Sequence, residues 1–189
     1  MTDADTRAPR ADAARNRDQL LAAATRAFAA SATEPSMRAI AREAGVGIAT
    51  LYRHFPTREA LVDAVYQDQV QRLTGGARDL LEQLPPAKAM RQWMDLFGEW
   101  LATKHGMLET LRAMLESGEI AGARDELLEA ITTILDAGRA AGDLRGDVSA
   151  EDISASLLGI FTVVGKPASQ AQANRLLNLL MDGLRPPAA

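Results

Sequence analysis

Apolar residues recur every three or four positions over most of this chain, with polar residues between them. An amphipathic α-helix needs that period to bury one face. We therefore predict an all-α fold of about nine helices with essentially no strand. The seven longer helices are predicted at 15–30, 58–73, 87–105, 107–116, 124–141, 150–164 and 168–184, and two short ones lie between residues 36 and 56.

Glycine and proline mark the predicted ends of these helices. Residues 74–76, Thr-Gly-Gly, and the pair Pro85-Pro86 are predicted breaks. The segment 77–84 between them is either a short helix or the tail of the fourth helix. Gly142 fits a left-handed C-terminal cap, and Gly165 begins the stop after the eighth helix.

Three regions follow from this pattern. Residues 1–14 lack apolar periodicity and are predicted to be a disordered arm, residues 15–73 a head, and residues 74–189 a body. Arginines near the arm, including Arg17, could reach a DNA backbone or a minor groove. The alternative is an ordinary solvated tail.

The segment 36–58, SMRAIAREAGVGIATLYRHFPTR, has the pattern of two short helices joined by a tight turn. Ser36 is suited to cap the first helix. Gly45 can take the positive φ that a sharp reversal requires. Leu51 and Phe55, four residues apart, give the second helix its buried side. This is the pattern of a helix-turn-helix.

The same segment is basic although the whole chain is acidic. It holds four arginines and a single acid, Glu43, whereas the chain has a formal net charge of −4. A helix of this width fits the major groove of B-form DNA. We therefore predict that the outer face of the second helix binds double-stranded DNA.

The residues 44–61, AGVGIATLYRHFPTREAL, resemble the signature of the TetR family of bacterial transcriptional regulators, and the likeness extends over about residues 20–66. The resemblance implies a three-helix DNA-binding head, a fourth connecting helix, and a helical body that binds ligand and dimerises through the last two helices. It also implies a regulator, most often a repressor, that binds a palindromic operator as a homodimer and is released by a small-molecule effector.

Within the head, Tyr52, His54 and Arg58 are predicted to contact phosphates, and Arg38 and Arg53 to supply hydrogen-bonded base readout. A cation in the first turn of a helix is disfavoured by the helix dipole, so Arg58 suggests an external anion. Arg38 could instead form a salt bridge with Glu43. The candidate DNA-binding residues are Ser36, Arg38, Gly47, Ile48, Ala49, Thr50, Tyr52, Arg53, His54 and Arg58. Gly47 stands where the family usually has serine or threonine, so a hydroxyl contact is missing there.

In the body, bulky flexible side chains suit a mostly hydrophobic effector, although such residues at helical spacing are more often core. The candidate ligand-binding residues are Trp93, Met94, Phe97, Trp100, Met114 and Phe161. The candidate dimer contacts are Ile153, Leu157, Ile160, Leu176, Leu177, Leu180 and Leu184. The alternative is that the last two helices only close the core of a monomer.

The composition of the chain limits which other functions and binding sites are possible. Cysteine is absent and aromatic residues make up only 4% of the chain, so a disulfide, a thiolate metal site and a cysteine nucleophile are excluded. No apolar run reaches the ~20 residues that span a bilayer, and we expect a cytoplasmic protein without a membrane partner. Common catalytic motifs are missing. We predict no enzymatic activity, no metal and no cofactor, with a non-DNA interaction module as the alternative function.

Overall fold

A computed structural model describes residues 7–30, 33–118, 123–164 and 170–186, and this part of the chain contains nine α-helices and no strand. The helices are α1 (Arg7–Ala30), α2 (Met37–Glu43), α3 (Ile48–His54), α4 (Arg58–Gln83), α5 (Pro86–Gly106), α6 (Leu108–Ser117), α7 (Arg124–Ala141), α8 (Ala150–Val164) and α9 (Gln170–Gly183). The all-α prediction is confirmed. The predicted stop at Gly165 and the start of the last predicted helix lie outside the described residues.

The first helix is longer than predicted. It begins at Arg7, whereas a disordered arm was predicted up to residue 14, and residues 1–6 lie outside the described part. Alanine and arginine are good helix formers even where no apolar stripe marks a buried face. Periodicity therefore missed this extension, because periodicity reports burial and not helix propensity.

The fourth helix also continues where a break was predicted. It runs through Gly75 and Gly76 to Gln83, although each glycine costs about 1 kcal/mol relative to alanine in a helix interior. The Trp93 indole donates a 2.8 Å hydrogen bond to the Leu73 carbonyl, and a Cβ on Gly76 would stand 3.0 Å from Leu96 Cδ1. Packing against α5 thus outweighs the weak local helix propensity.

Two compact units make up the chain. The first comprises Met1–Gln67 and Ala102–Ala121, and the second comprises Asp68–Leu101 and Gly122–Ala189. The first unit therefore includes α6 and the end of α5 in addition to most of the predicted head, whereas residues 68–73 of that head belong to the second unit. Its core contains the fully buried side chains of Leu20, Phe28, Ile40 and Leu51.

The second unit contains α4 from Asp68, α5 as far as Leu101, and α7 to α9. Trp93 and Phe97 are buried at its centre, and a Cβ on Gly98 would meet the Phe161 ring at 2.5 Å. Gly142, with a φ of 74°, ends α7 in the predicted left-handed cap. Within the described residues, no helix has both the length and the apolar character needed to cross a membrane.

Candidate nucleic-acid interface

The turn between α2 and α3 has the geometry predicted for a helix-turn-helix. The Ser36 hydroxyl accepts a 3.2 Å hydrogen bond from the Ala39 amide and so caps α2. At the other end Gly45 has a φ of 69° and the Val46 amide donates to the Ala41 carbonyl at 3.0 Å. This pairing satisfies a carbonyl that the helix end would leave unbonded.

Helix α3 is anchored by the two residues predicted to be buried. Leu51 is 0% exposed and Phe55 is 2% exposed. Gly47 stands at the N-cap in an extended conformation and makes no side-chain cap. The helix is therefore held from one side, and its other side is free to present functional groups.

Most of the predicted DNA-binding residues lie on the surface of this unit. The exposed ones are Ser36, Arg38, Gly47, Ala49, Tyr52 and Arg53, and the half-buried ones are Ile48, Thr50, His54 and Arg58. Tyr52 is 46% exposed. The exposed and half-buried residues of α2 and α3 thus include cations, hydrogen-bond donors and small apolar side chains, which are kinds of side chain that can contact DNA.

The acid in this segment pairs with a residue of α1. The Arg26 Nε lies 3.3 Å from a Glu43 carboxylate oxygen, and both side chains are largely exposed. Within the described residues Arg38 forms no ion pair, so the alternative pairing of Arg38 with Glu43 is not seen. The positive charge of Arg38 is thus left facing solvent.

Arg17 lies on α1, within the bounds predicted for the first helix, and its side chain is exposed. Its guanidinium carbon lies 5.4 Å from the centroid of the Phe55 ring, within cation–π range. This contact sets an exposed cation of α1 beside the end of α3. A signal was present in the sequence, because Arg17 falls three and four residues before the buried Leu20 and Leu21 and so shares their helix face.

Arg58 has partners within the protein. Arg58 Nη2 lies 2.9 Å from Glu34 Oε2, and Arg58 Nε lies 3.0 Å from the same oxygen. The guanidinium also donates to the Pro35 carbonyl at 2.9 Å and to Thr110 Oγ1 at 3.3 Å. The sequence predicted an external anion for this cation, whereas the structure pairs it with Glu34 of the same chain. Sequence offered no signal for a pair that is 24 residues apart.

Glu34 makes two further hydrogen bonds. Its carboxylate accepts from the Thr110 amide and from the Thr110 hydroxyl, both at 2.9 Å. Burial by itself would raise the pKa of Glu34, but the hydrogen bonds from Thr110 and the contact with Arg58 more than offset it, so the pKa lies below its ordinary value. Glu34 is thus held in its charged form.

The six predicted ligand-binding residues do not form one set. Trp93, Met94, Phe97, Trp100 and Phe161 belong to the second unit, where the ring centroids of Phe97 lie 5.8 Å, 5.3 Å and 6.2 Å from those of Trp93, Trp100 and Phe161. These distances describe aromatic packing. Met114 belongs to the first unit and lines a cleft of about 600 Å³ there.

The predicted dimer contacts point in two directions. Ile153, Leu157, Leu177 and Leu184 are at most 2% exposed within the single chain, and Ile160, Leu176 and Leu180 are half-buried. The large apolar side chains exposed on α8 and α9 are Leu158, Val163 and Leu179, with exposures of 44%, 80% and 66%. Of the adjacent leucines Leu157 and Leu158, the first is buried and the second is exposed, and apolar spacing alone did not say which one faces out.

An all-helical chain whose first unit carries such a helix-turn-helix has the architecture of a DNA-binding regulator. Residues 20–65 match the family described as "Bacterial regulatory proteins, tetR family", and residues 85–186 match "Transcriptional regulator SbtR-like, C-terminal domain". The chain belongs to the TetR family of transcriptional regulators, which confirms the resemblance found in the sequence.

Individual relatives agree. A TetR transcriptional regulator of Streptomyces coelicolor is 46% identical in sequence to this chain. Its crystal structure aligns with 91% of this chain and 99% of the regulator's chain, with a TM-score of 0.81. A TetR regulatory protein of Mycobacterium vanbaalenii is 36% identical, with 93% and 98% covered and a TM-score of 0.71. The regulator EthR of Mycolicibacterium smegmatis is 27% identical over 131 residues, and the match spans 66% of this chain but only 60% of that relative.

Proposed function

We propose that this chain is a transcriptional repressor that binds a palindromic DNA operator as a homodimer and is released by a small, mostly hydrophobic effector. The observation that carries the proposal is the orientation of α3. Leu51 and Phe55 are buried, while Tyr52 and Arg53 face solvent. A tyrosine left 46% exposed on a short helix has apolar ring area and a hydroxyl available for a partner.

The DNA contacts divide by chemistry. Tyr52 and His54 would donate to phosphates, and Arg38 and Arg53 would read base edges or phosphates. Ile48 and Ala49 can contact thymine methyl groups, which gives shape and apolar discrimination but no hydrogen-bonded code. In a dimer, the two recognition helices would enter successive major grooves about 34 Å apart.

The exposed leucines of α8 and α9 support the dimer. Leu158 and Leu179 stand on consecutive helices, each with more than two fifths of its surface in water. A second copy of the same face would bury these side chains in a symmetric contact. An effector in the body would then weaken DNA binding through a coupling of about 1 to 3 kcal/mol.

The test is selection of bound duplexes from a random pool with the full chain at low salt, followed by release assays with hydrophobic compounds. Arg53→Ala should weaken binding to the selected duplex by about 1 to 3 kcal/mol. Arg112→Ala is the matched control, since it removes the same charge from an exposed residue of α6 that pairs with Glu116. If the wild-type chain enriches no duplex, the proposed function is wrong.

A further inference from the structure

Helix α6 begins without a cap of its own. Its N-cap residue is Met107, whose side chain makes no capping hydrogen bond. The amide of Thr110, in the first turn, is instead bonded to Glu34 Oε1 at 2.9 Å, and the Thr110 hydroxyl is bonded to Glu34 Oε2 at 2.9 Å. A carboxylate is the group that the positive end of a helix favours. A residue 76 positions earlier therefore serves as the cap of α6.

The same carboxylate fixes the exit from the helix-turn-helix. Glu34 Oε2 lies 2.9 Å from Arg58 Nη2, and Arg58 is the first residue of α4. Only residues 55–57 separate Arg58 from the last residue of the recognition helix, His54. Holding Arg58 therefore restricts the end of α3.

The entry to the helix-turn-helix is fixed by the same guanidinium. Arg58 Nη2 donates to the Pro35 carbonyl at 2.9 Å, and Pro35 directly precedes Ser36, the cap of α2. One arginine thus bonds to the chain just before α2 and stands just after α3. Its other partners, Glu34 and Thr110, tie this point to the first turn of α6.

We propose that Glu34 is a positioning residue of the DNA-binding unit and that Arg58 acts through it. Glu34 joins both ends of the helix-turn-helix to α6, and Arg58 holds α3 in place for DNA without itself bonding to a phosphate. This proposal rests on the proposed DNA-binding function. It gives Arg58 a different role from the phosphate contact suggested by the family signature.

Burial supports the positioning role. The Arg58 and Glu34 side chains are 25% and 15% exposed. To reach a phosphate, Arg58 would have to leave Glu34 and the Pro35 carbonyl, and Glu34 would then remain half-buried without its cation. Loss of one partner of such a pair is costly, because the other charge stays away from water without compensation.

A positioning role for Glu34 and a purely electrostatic role predict opposite changes in DNA affinity for Glu34→Ala. Glu34→Ala removes a negative charge from the DNA-binding unit, so electrostatics alone would tighten DNA binding. If Glu34 positions α3, the same change should weaken binding by about tenfold, the loss expected from a charge-assisted hydrogen bond. Arg58→Ala should weaken binding similarly, and the double variant should be no weaker than either single one.

The salt dependence separates positioning from phosphate contact. In a titration of the selected duplex against salt, Arg58→Ala should lower affinity while leaving the slope of log affinity against log salt unchanged. Tighter binding by Glu34→Ala, together with a slope reduced by about one per subunit in Arg58→Ala, would show Arg58 to be a phosphate contact and would overturn the proposal.

The cap can be tested without DNA, so its failure is distinct from failure of the proposed function. Amide hydrogen exchange at Thr110 should be faster in Glu34→Ala than in the wild-type chain, and unchanged exchange would overturn the cap.

Thr110→Ser keeps the hydroxyl and should retain DNA affinity, whereas Thr110→Val loses the hydroxyl and should weaken DNA binding. Equal DNA affinity of the Ser and Val variants would remove the Thr110 hydroxyl from the network.

Discussion

The Phe28 carbonyl occupies the space that a side chain on Gly106 would need. A Cβ on Gly106, the last residue of α5, would stand 1.8 Å from the Phe28 oxygen and 2.8 Å from the Phe28 Cα. Because the obstacle is backbone, the clash cannot be relieved by a rotamer change. Gly106→Ala should therefore destabilise the protein by about 3 kcal/mol, the upper end of the usual cost of overpacking, measured by urea unfolding.

A second glycine gives the matched control. Gly75 lies inside α4, and no atom from another part of the fold lies within 4 Å of the place that a Cβ on it would take. Gly75→Ala should be neutral or stabilising by up to about 1 kcal/mol, because alanine is the better helix former. Equal stability of the Gly106→Ala variant and the wild type would show that the two backbones are not in contact.

Gly47→Ser should strengthen the recognition helix. Gly47 is the N-cap of α3, its φ of −68° suits any residue, and it provides no side-chain cap. A serine hydroxyl could accept from an amide of the first turn, which adds a few tenths of a kcal/mol of stability, and could also contact a phosphate. We expect a small rise in unfolding free energy and a several-fold gain in DNA affinity. Gly47→Ala is the control, because it adds a side chain without a hydroxyl and should give neither gain.

The features that sequence predicted well are those set by residues close together in the chain. The helix-turn-helix is an example, since the Ser36 hydroxyl accepts from an amide three residues away and Gly45 turns the chain locally. The continuity of α4 could not be predicted in this way, because α4 packs against a later helix and accepts a hydrogen bond from Trp93 at the Leu73 carbonyl. Local helix propensity at Gly75 and Gly76 contains no information about that contact.

In the candidate site, too, contacts between residues distant in sequence could not be predicted. Burial of Leu51 and Phe55 follows from their spacing, and the outward face of α3 follows from that burial. Helix electrostatics predicted an external anion for Arg58. The internal partner Glu34 was not predicted, because the pair depends on packing between elements distant in sequence. Likewise, periodicity located apolar faces on α8 and α9 without separating those that close the core from those that remain exposed.

The lowered pKa of Glu34 predicts a pH-dependent stability. The pKa in the folded chain is below the ordinary value of 4.5, so the charged carboxylate stabilises the folded state above that value, and this contribution is lost as pH falls through the folded pKa. The unfolding free energy of Glu34→Gln should thus differ most from wild type at neutral pH, and the difference should shrink in acid. Urea titrations of both proteins from pH 7 to about pH 3 provide the measurement, and a difference that stays constant over this range would contradict the assignment.

The proposed dimer gives the sharpest contrast between neighbouring leucines. Leu158→Glu and Leu179→Glu place charges on side chains that are 44% and 66% exposed in the single chain, so each should leave the monomer folded and abolish association in sedimentation. Leu177 is only 1% exposed, and Leu177→Glu should instead unfold the chain, because an unpaired buried charge costs several kcal/mol. Circular dichroism separates the two outcomes. If the folded Leu158→Glu and Leu179→Glu variants still sediment as dimers, the interface is formed by other residues.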